Sequence, residues 1–117
     1  MIRIKIKRIY EPAQKDDGFR VLVDRLWPRG VSKKEAGIDL WLKEIAPSND
    51  LRKLFCHDPE KWLEFKKRYF QELEIKSDLL EILEKKAESG TITLLYSAKE
   101  NLFNNAAALK EYLEKSG

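Results

Sequence analysis

The apolar positions of this chain fall into short runs typical of strands and longer stretches typical of helices. Near the amino terminus, Ile2, Ile4 and Ile6 alternate with basic residues, which predicts a strand with one core face and one basic face toward solvent. The apolar run at 19–23 predicts a strand buried on both faces, and the run at 91–96 predicts a further β-rich strand. Both are suited to the interior of a sheet.

Two segments leave alternatives open. Residues 38–45 fit either a strand or a helix, and their exit through Pro47 favours a strand. The connection at 10–18 contains Pro12 and Gly18 and is short for a helical crossover to a parallel neighbour. The direction of the first strand relative to the others therefore stays open.

Caps and breakers delimit helices between these runs. Polar caps, one of them followed by proline, predict three helix starts, and glycines predict two helix ends. The start signals are Ser32, Asp58 with Pro59, and Ser77, and the end signals are Gly37 and Gly90. A last helix is expected to begin near Asn101, with Leu102 and Leu109 on its apolar face.

Alternating strands and helices predict the α/β class: a small three-layer domain with a largely parallel sheet of about four strands flanked by helices. A chain of 117 residues is long enough for one hydrophobic core, so we expect a single domain over residues 1–117. The predicted core contains Val23, Trp62, Phe65, Tyr69, Leu83, Leu95 and Leu109.

Composition narrows the class of protein. Hydrophobic residues make up 43% and charged residues 37%, both signs are interspersed, and no apolar run is long enough for a membrane span. We therefore expect a cytoplasmic protein without a membrane partner. The net charge of +3 is too small to indicate nucleic-acid binding, and one cysteine with one histidine cannot supply a structural zinc site.

Charged residues follow the second strand directly. Asp24, Arg25 and Arg29 stand where the apolar run ends, and open α/β sheets bind ligands at the carboxyl ends of their strands. If the strand at 91–96 is a parallel neighbour, its own end brings further polar groups to the same edge. These are Tyr96, Ser97 and Lys99, followed by Asn104 near the start of the last helix. The arrangement predicts a site for a phosphate or carboxylate.

Each of these side chains has both functional and structural interpretations. Asp24 is either a general base, an orienter of an arginine, or a partly buried acid satisfied by backbone amides or by Arg25 or Arg29. The arginines either bind an anion in bidentate fashion or form salt bridges within the domain. Arg52 is a candidate third cation, and Ser48, four positions before it, is a pocket candidate for which simple helix capping is the alternative.

His57 is the second candidate catalytic residue, because its side chain titrates near neutrality, and a contact at a helix start is the alternative. Cys56 beside it is interpreted as a core thiol, since adjacent side chains diverge and no third group completes a dyad. Trp27, next to Pro28, is expected to wall a pocket or to join the core.

Several motifs together closely resemble the YeaO-like family, domain of unknown function 488. They are VLVDRLWPRG at 21–30, APS at 46–48 with LR at 51–52, HDP at 57–59 and TLLYSAK at 93–99. The resemblance is collinear over nearly the whole chain, and it implies a small α/β domain with a strand at 39–45. More distant members carry a cysteine-histidine-arginine turn before the last helix. This chain has NLFNN at 101–105 there, so a cysteine nucleophile is not carried over.

Two functional hypotheses follow. In the first, the protein binds an anionic metabolite or a nucleotide at the strand ends, as a hydrolase, a transferase or a binding protein. In the second, it is a nonenzymatic interaction module whose polar motifs are structural and whose basic first strand meets a partner. The sequence specifies no cofactor and no oligomeric state.

Overall fold

The computed structural model describes residues 3–55 and 58–116. Four parallel strands form one sheet with the spatial order β1-β4-β2-β3. The strands are β1 (Ile4–Arg8), β2 (Phe19–Leu22), β3 (Leu40–Trp41) and β4 (Ile92–Tyr96). The predicted α/β class and the largely parallel sheet are confirmed, and the direction of the first strand is settled as parallel.

Among the described residues, five α-helices and three short 3-10 turns precede, separate or follow the strands. The helices are α1 (Lys33–Ala36), α2 (Asn49–Phe55), α3 (Trp62–Glu74), α4 (Ser77–Ser89) and α5 (Asn105–Ser116). The 3-10 turns are Lys15–Asp17, Lys43–Ile45 and Pro59–Lys61. Several predicted signals act where expected: Ser32 caps α1 by accepting from the Glu35 amide, and Gly37 ends α1 in the left-handed region at a φ of 59°.

The central strand β4 is buried along its whole length. It pairs with β1 on one side and with β2 on the other, so its backbone groups are satisfied within the sheet. Its side chains alternate between the two faces: Ile92, Leu94 and Tyr96 face one layer, and Thr93 and Leu95 face the other.

One face of the sheet carries the main core, where α2 to α5 pack over the strands. The predicted core residues Val23, Phe65, Tyr69, Leu83, Leu95 and Leu109 are all buried. Trp62 is only half-buried, because it lies at the first residue of α3 and packs its ring between those of Phe65 and Phe103 at the edge of the core.

The opposite face is covered by a thinner layer. The single-turn helix α1 contributes Ala36, and the segments around it contribute Trp27, Val31 and Ile38. Trp27 and Trp41 meet edge to face with ring centroids 5.3 Å apart. This layer completes the three-layer arrangement.

The basic side of the first strand does not face open solvent, which corrects the sequence prediction. The connection at 9–18 folds back over it, and its 3-10 turn places Asp17 against Lys5 and Lys7 at 3.3 and 3.1 Å. Arg20 of β2 donates to the same carboxylate. The Asp17 side chain is fully buried, and it gathers three cations that an isolated strand would leave in water.

Burial by itself raises the pKa of the Asp17 carboxyl group. Hydrogen bonds from the Gln14 backbone and from the side chains of Lys7, Lys5 and Arg20 outweigh that effect, so the pKa lies well below its usual value. Asp17 is therefore charged in the folded protein and acts as the centre of a buried ionic cluster, which consists of Lys5, Lys7, Asp17 and Arg20.

The remaining differences from the sequence predictions concern element bounds. Within residues 38–45 only Leu40 and Trp41 form a strand, and a 3-10 turn follows because the chain must bend toward α2. The last helix begins at Asn105 rather than near Asn101, which leaves Leu102 exposed before it. Ser77 is the first helical residue of α4 and not its cap. Cys56 lies outside the described residues.

Asp17→Asn is expected to destabilise the fold by about 3 kcal/mol, the lower end for a broken buried ion pair, because Lys5 and Lys7 keep partial contact with water. Urea unfolding measures this. The matched control Asp16→Asn, an exposed neighbour, is expected to change stability by less than about 1 kcal/mol. Since the native pKa of Asp17 is depressed, its stabilisation is present above about pH 4 and lost as the pH falls further. An unchanged acid-unfolding curve for Asp17→Asn would contradict this role.

Phe65→Ala is expected to cost about 3 to 5 kcal/mol, because the ring is buried between Phe55 and Tyr69 in the main core. Leu63→Ala, two positions earlier on the exposed side of α3, is expected to stay within about 0.5 kcal/mol of the wild type. Thermal denaturation of both variants compares them. Equal melting temperatures for the two variants would contradict the placement of Phe65 in the core.

Candidate functional site

A cavity of about 540 Å³ opens at the carboxyl edge of the sheet. The segments that follow β2 and β4 form two of its sides, and α2 with the start of α5 forms the others. Its lining consists of Asp24, Arg25, Leu26, Ala46, Pro47, Asn49, Arg52, Lys53, Phe55, Phe65, Ser97, Ala98 and Asn105. This is the edge at which the sequence predicts a polar site.

Asp24 joins the two strand ends. One carboxylate oxygen accepts hydrogen bonds from the backbone amide and the hydroxyl of Ser97, both at 2.9 Å. The other accepts from the Asn105 side-chain amide at 3.1 Å, and the same amide donates to the Val23 carbonyl at 3.0 Å. The carboxylate therefore ties the loop after β2 to the loop after β4 and to the start of α5.

Arg25 uses only part of its donor capacity. One terminal nitrogen donates to the Ala46 carbonyl at 3.2 Å, and the other lies 3.9 Å from the exposed carboxylate of Glu44. The Nε atom is buried and has no hydrogen-bond partner within residues 3–55 and 58–116. Arg25 lines the cavity, and its guanidinium group offers five N–H donors, of which one has a described protein acceptor at hydrogen-bond distance.

The Ala46 carbonyl holds two cations together. Lys76 donates to it at 3.2 Å, beside the bond from Arg25. Burial is the main reason that the pKa of the Lys76 amino group lies below its usual value; Glu72 opposes this, and Arg25 lowers the pKa further. The two cations are accompanied by two carboxylates, those of Glu44 and Glu72.

Ala46 is itself held in place by the turn before it. The hydroxyl of Tyr69 donates to the Ile45 carbonyl at 2.7 Å, deep in the core. Burial raises the pKa of this hydroxyl well above its usual value, so Tyr69 stays neutral and keeps its donor. The wall that orients Arg25 is therefore anchored to α3.

Two further cations belong to α2. Arg52 and Lys53 are exposed and line the cavity, and Arg52 donates to the Asn49 side-chain oxygen at 3.2 Å. With Arg25 they make three cationic side chains around one carboxylate, Asp24. The lining therefore carries a net positive charge.

Other predicted site residues lie outside this lining. Arg29 is exposed, and its carbonyl accepts a hydrogen bond from the Tyr10 hydroxyl. Lys99 is exposed beyond the loop after β4. Tyr96 is buried against the main core, and burial raises the pKa of its hydroxyl. The structure brings none of these three side chains into the cavity lining.

Asn104, Trp27 and Ser48 have structural contacts instead. The Asn104 side chain accepts from the Ala107 amide at 2.8 Å and so caps α5. Trp27 packs in the opposite layer and donates to the Val31 carbonyl. Ser48 accepts from the Leu51 amide at the start of α2 and donates to Glu72, which favours the capping interpretation. His57 lies outside the described residues.

Leu26 and Lys53 line the cavity, and sequence reasoning did not select either of them. Leu26 is 65% exposed at the cavity, although an apolar residue at this position reads as a continuation of the strand. Lys53 had one available signal, its position next to Arg52 on a short capped helix. The sequence also did not show that Phe55 and Phe65 would form part of the lining.

Two kinds of feature are absent from the described part of the chain. No group of three or more histidine, cysteine, aspartate or glutamate residues there is arranged to hold a metal ion. No helix within residues 3–55 and 58–116 combines the length and apolar character needed to cross a membrane.

Asp24→Ala is expected to lower the free energy of unfolding by about 1 to 3 kcal/mol, because the Ser97 amide and the Asn105 side chain lose their acceptor. The control Ser97→Ala removes only the hydroxyl and keeps the carboxylate, so its expected cost is about 1 kcal/mol or less. Urea titration separates the two. If Asp24→Ala proves as stable as Ser97→Ala, the carboxylate does not hold the strand ends together.

Comparison with known proteins places the chain in a family. A family model described as "Inactive DUF488-N3 subclade" matches residues 3–116. "Uncharacterized protein YeaO" of Escherichia coli (strain K12) is 42% identical over 112 residues, which cover 96% of this chain and 97% of that protein. "Uncharacterized protein Rv3073c" of Mycobacterium tuberculosis (strain ATCC 25618 / H37Rv) is 38% identical over 111 residues, covering 95% and 93%. No solved structure matches the chain. Because these matches span nearly its whole length, the chain belongs to the YeaO-like DUF488 family.

Proposed function

We propose that the protein binds a small anionic metabolite or nucleotide in the cavity at the carboxyl edge of the sheet, without chemical turnover. The observation that carries this proposal is the state of Arg25. Its guanidinium lines the cavity, donates one hydrogen bond to Ala46 and keeps a buried Nε without a partner in the described chain. A guanidinium group with most of its N–H donors unfilled binds a phosphate or carboxylate well, because the hydrogen bonds are charge-assisted.

The position of the cations supports the same proposal. Arg25 is partly buried inside the cavity, and Arg52 and Lys53 are exposed along it. Charges at the opening attract an anion from solution, and a guanidinium inside binds a phosphate or carboxylate with directed hydrogen bonds. Arg25 is held by Ala46 before any ligand arrives, so less side-chain entropy is lost on binding.

Binding without turnover is supported by the state of Asp24. Both carboxylate oxygens already accept hydrogen bonds from Ser97 and Asn105, so the group serves as a connector between loops. The Ser97 hydroxyl donates to that same carboxylate and belongs to the same connection. The word "Inactive" in the description of the matching subclade points the same way. A hydrolase or transferase activity is the competing version of this proposal.

One of the two arguments for the interaction-module hypothesis, the exposed basic face of the first strand, does not agree with the structure. Its partner was expected at the basic face of the first strand, where Lys5 and Lys7 are instead engaged by the buried Asp17. The other argument is that the polar motifs pair with one another. Asp24 does pair in this way, but Arg25 is only partly paired within the described residues. It becomes one outcome of the following experiment.

Isothermal titration with inorganic phosphate and a panel of nucleotides tests the proposal at low salt. Arg25→Ala is expected to weaken binding by about 10-fold or more, since it removes charge-assisted hydrogen bonds. Arg29→Ala removes the same charge from the same loop outside the cavity, so binding is expected to stay unchanged. High salt is expected to reduce the difference in affinity between the wild type and Arg25→Ala, because salt screens the charge of the arginine.

Three outcomes are informative. Loss of binding in Arg25→Ala with a preserved melting temperature supports the anion site. Unchanged affinity with reduced stability in Arg25→Ala overturns it and favours the interaction module. Release of product from a bound nucleotide or phosphate ester would replace binding alone with hydrolase or transferase activity.

A further inference from the structure

We infer that the ligand of this cavity is an anionic group carried on a flat apolar body, such as an aryl phosphate, and not a bare inorganic ion. The inference rests on the proposed function and specifies the class of ligand. It follows from the size of the cavity, from its apolar lining and from one exposed leucine that lies outside both hydrophobic clusters.

The cavity is too large for a phosphate ion alone. Its volume of about 540 Å³ falls in the range of sites that enclose a metabolite of substantial size. A tetrahedral ion held by Arg25 would leave most of that space to water. A ligand that fills the cavity therefore needs a body in addition to its charge.

The apolar side of the lining indicates what that body is. Phe55 and Phe65 stack with ring centroids 4.4 Å apart and planes 26° from parallel, and both are buried. They form a rigid wall, and Pro47 and Ala98 add apolar surface beside it. Rigid apolar walls favour a flat, weakly hydrated group over a sugar or a second charge.

Leu26 carries the argument furthest. It is adjacent to Arg25, lines the same cavity and is 65% exposed. It belongs to neither of the two hydrophobic clusters of the sheet. An apolar side chain next to the cation that would bind the anion is suited to cover the apolar part of a bound molecule.

The test is titration calorimetry of the full chain with inorganic phosphate, phenyl phosphate and phenol. Phenyl phosphate is expected to bind about 10-fold or more tightly than phosphate, because the ring buries apolar surface, and phenol is expected to bind more weakly than either. Leu26→Ser is expected to weaken phenyl phosphate binding by roughly 10-fold and to leave phosphate binding unchanged.

Leu63→Ser is the matched control, because Leu63 is also exposed and lies outside the cavity. It is expected to leave both affinities unchanged. Both leucines are solvent-exposed, so both variants are expected to fold, and thermal denaturation checks this.

The possible failures are distinguishable. Equal affinities for phosphate and phenyl phosphate, unaffected by Leu26→Ser, overturn the inference and leave the anion site standing. Absence of binding for both anions overturns the proposed function and the inference together. Phenol binding as tight as that of phenyl phosphate, unaffected by Arg25→Ala, shows an apolar cavity and overturns both as well.

Discussion

The insertion of β4 between β1 and β2 is the constraint on which the rest of the structure depends. β1 and β2 are consecutive along the chain, yet each pairs with β4 and not with the other. The sheet is therefore incomplete until residues 92–96 are in place, and their full burial supplies the centre of both packing layers. The same insertion brings Ser97 beside Asp24, so the candidate site exists only in the completed sheet.

The insertion also explains why a buried ionic cluster lies on one face. The connection at 9–18 must pass β4 to reach the far side, and it crosses where Thr93 donates to the Asp17 carbonyl at 2.6 Å. Gly18 then enters β2 at a φ of 64°, so close to the Thr91 carbonyl that a Cβ atom would collide with it. Lys5, Lys7 and Arg20 satisfy Asp17 at this crossing, and electrostatics here replaces the apolar packing that a longer connection would provide.

Local patterns predicted the elements well and the contacts between distant segments poorly. Periodicity and caps were sufficient for β1, β2 and β4, for the Asp58 start and for most of the core, because each depends on neighbouring residues. The environment of Lys5 and Lys7 depended on where the 9–18 connection folds, which alternation does not encode. The same holds for the cavity lining: Asp24 and Arg25 were selected from their position at a strand end, whereas the sequence did not select Leu26 and Lys53.

The adjacent residues Asp24 and Arg25 have different roles: Asp24 is structural, and Arg25 is the candidate binder of the anion. Both carboxylate oxygens of Asp24 accept hydrogen bonds that hold the strand ends together, so its presence at this position needs no ligand. Arg25 is oriented by Ala46, which the Tyr69 hydroxyl holds through Ile45, yet its Nε is left without a protein partner in the described chain. Structural stability alone would favour a residue that satisfies all its donors. In the proposed function the anion binds to donors of the Arg25 guanidinium other than the one that Ala46 accepts.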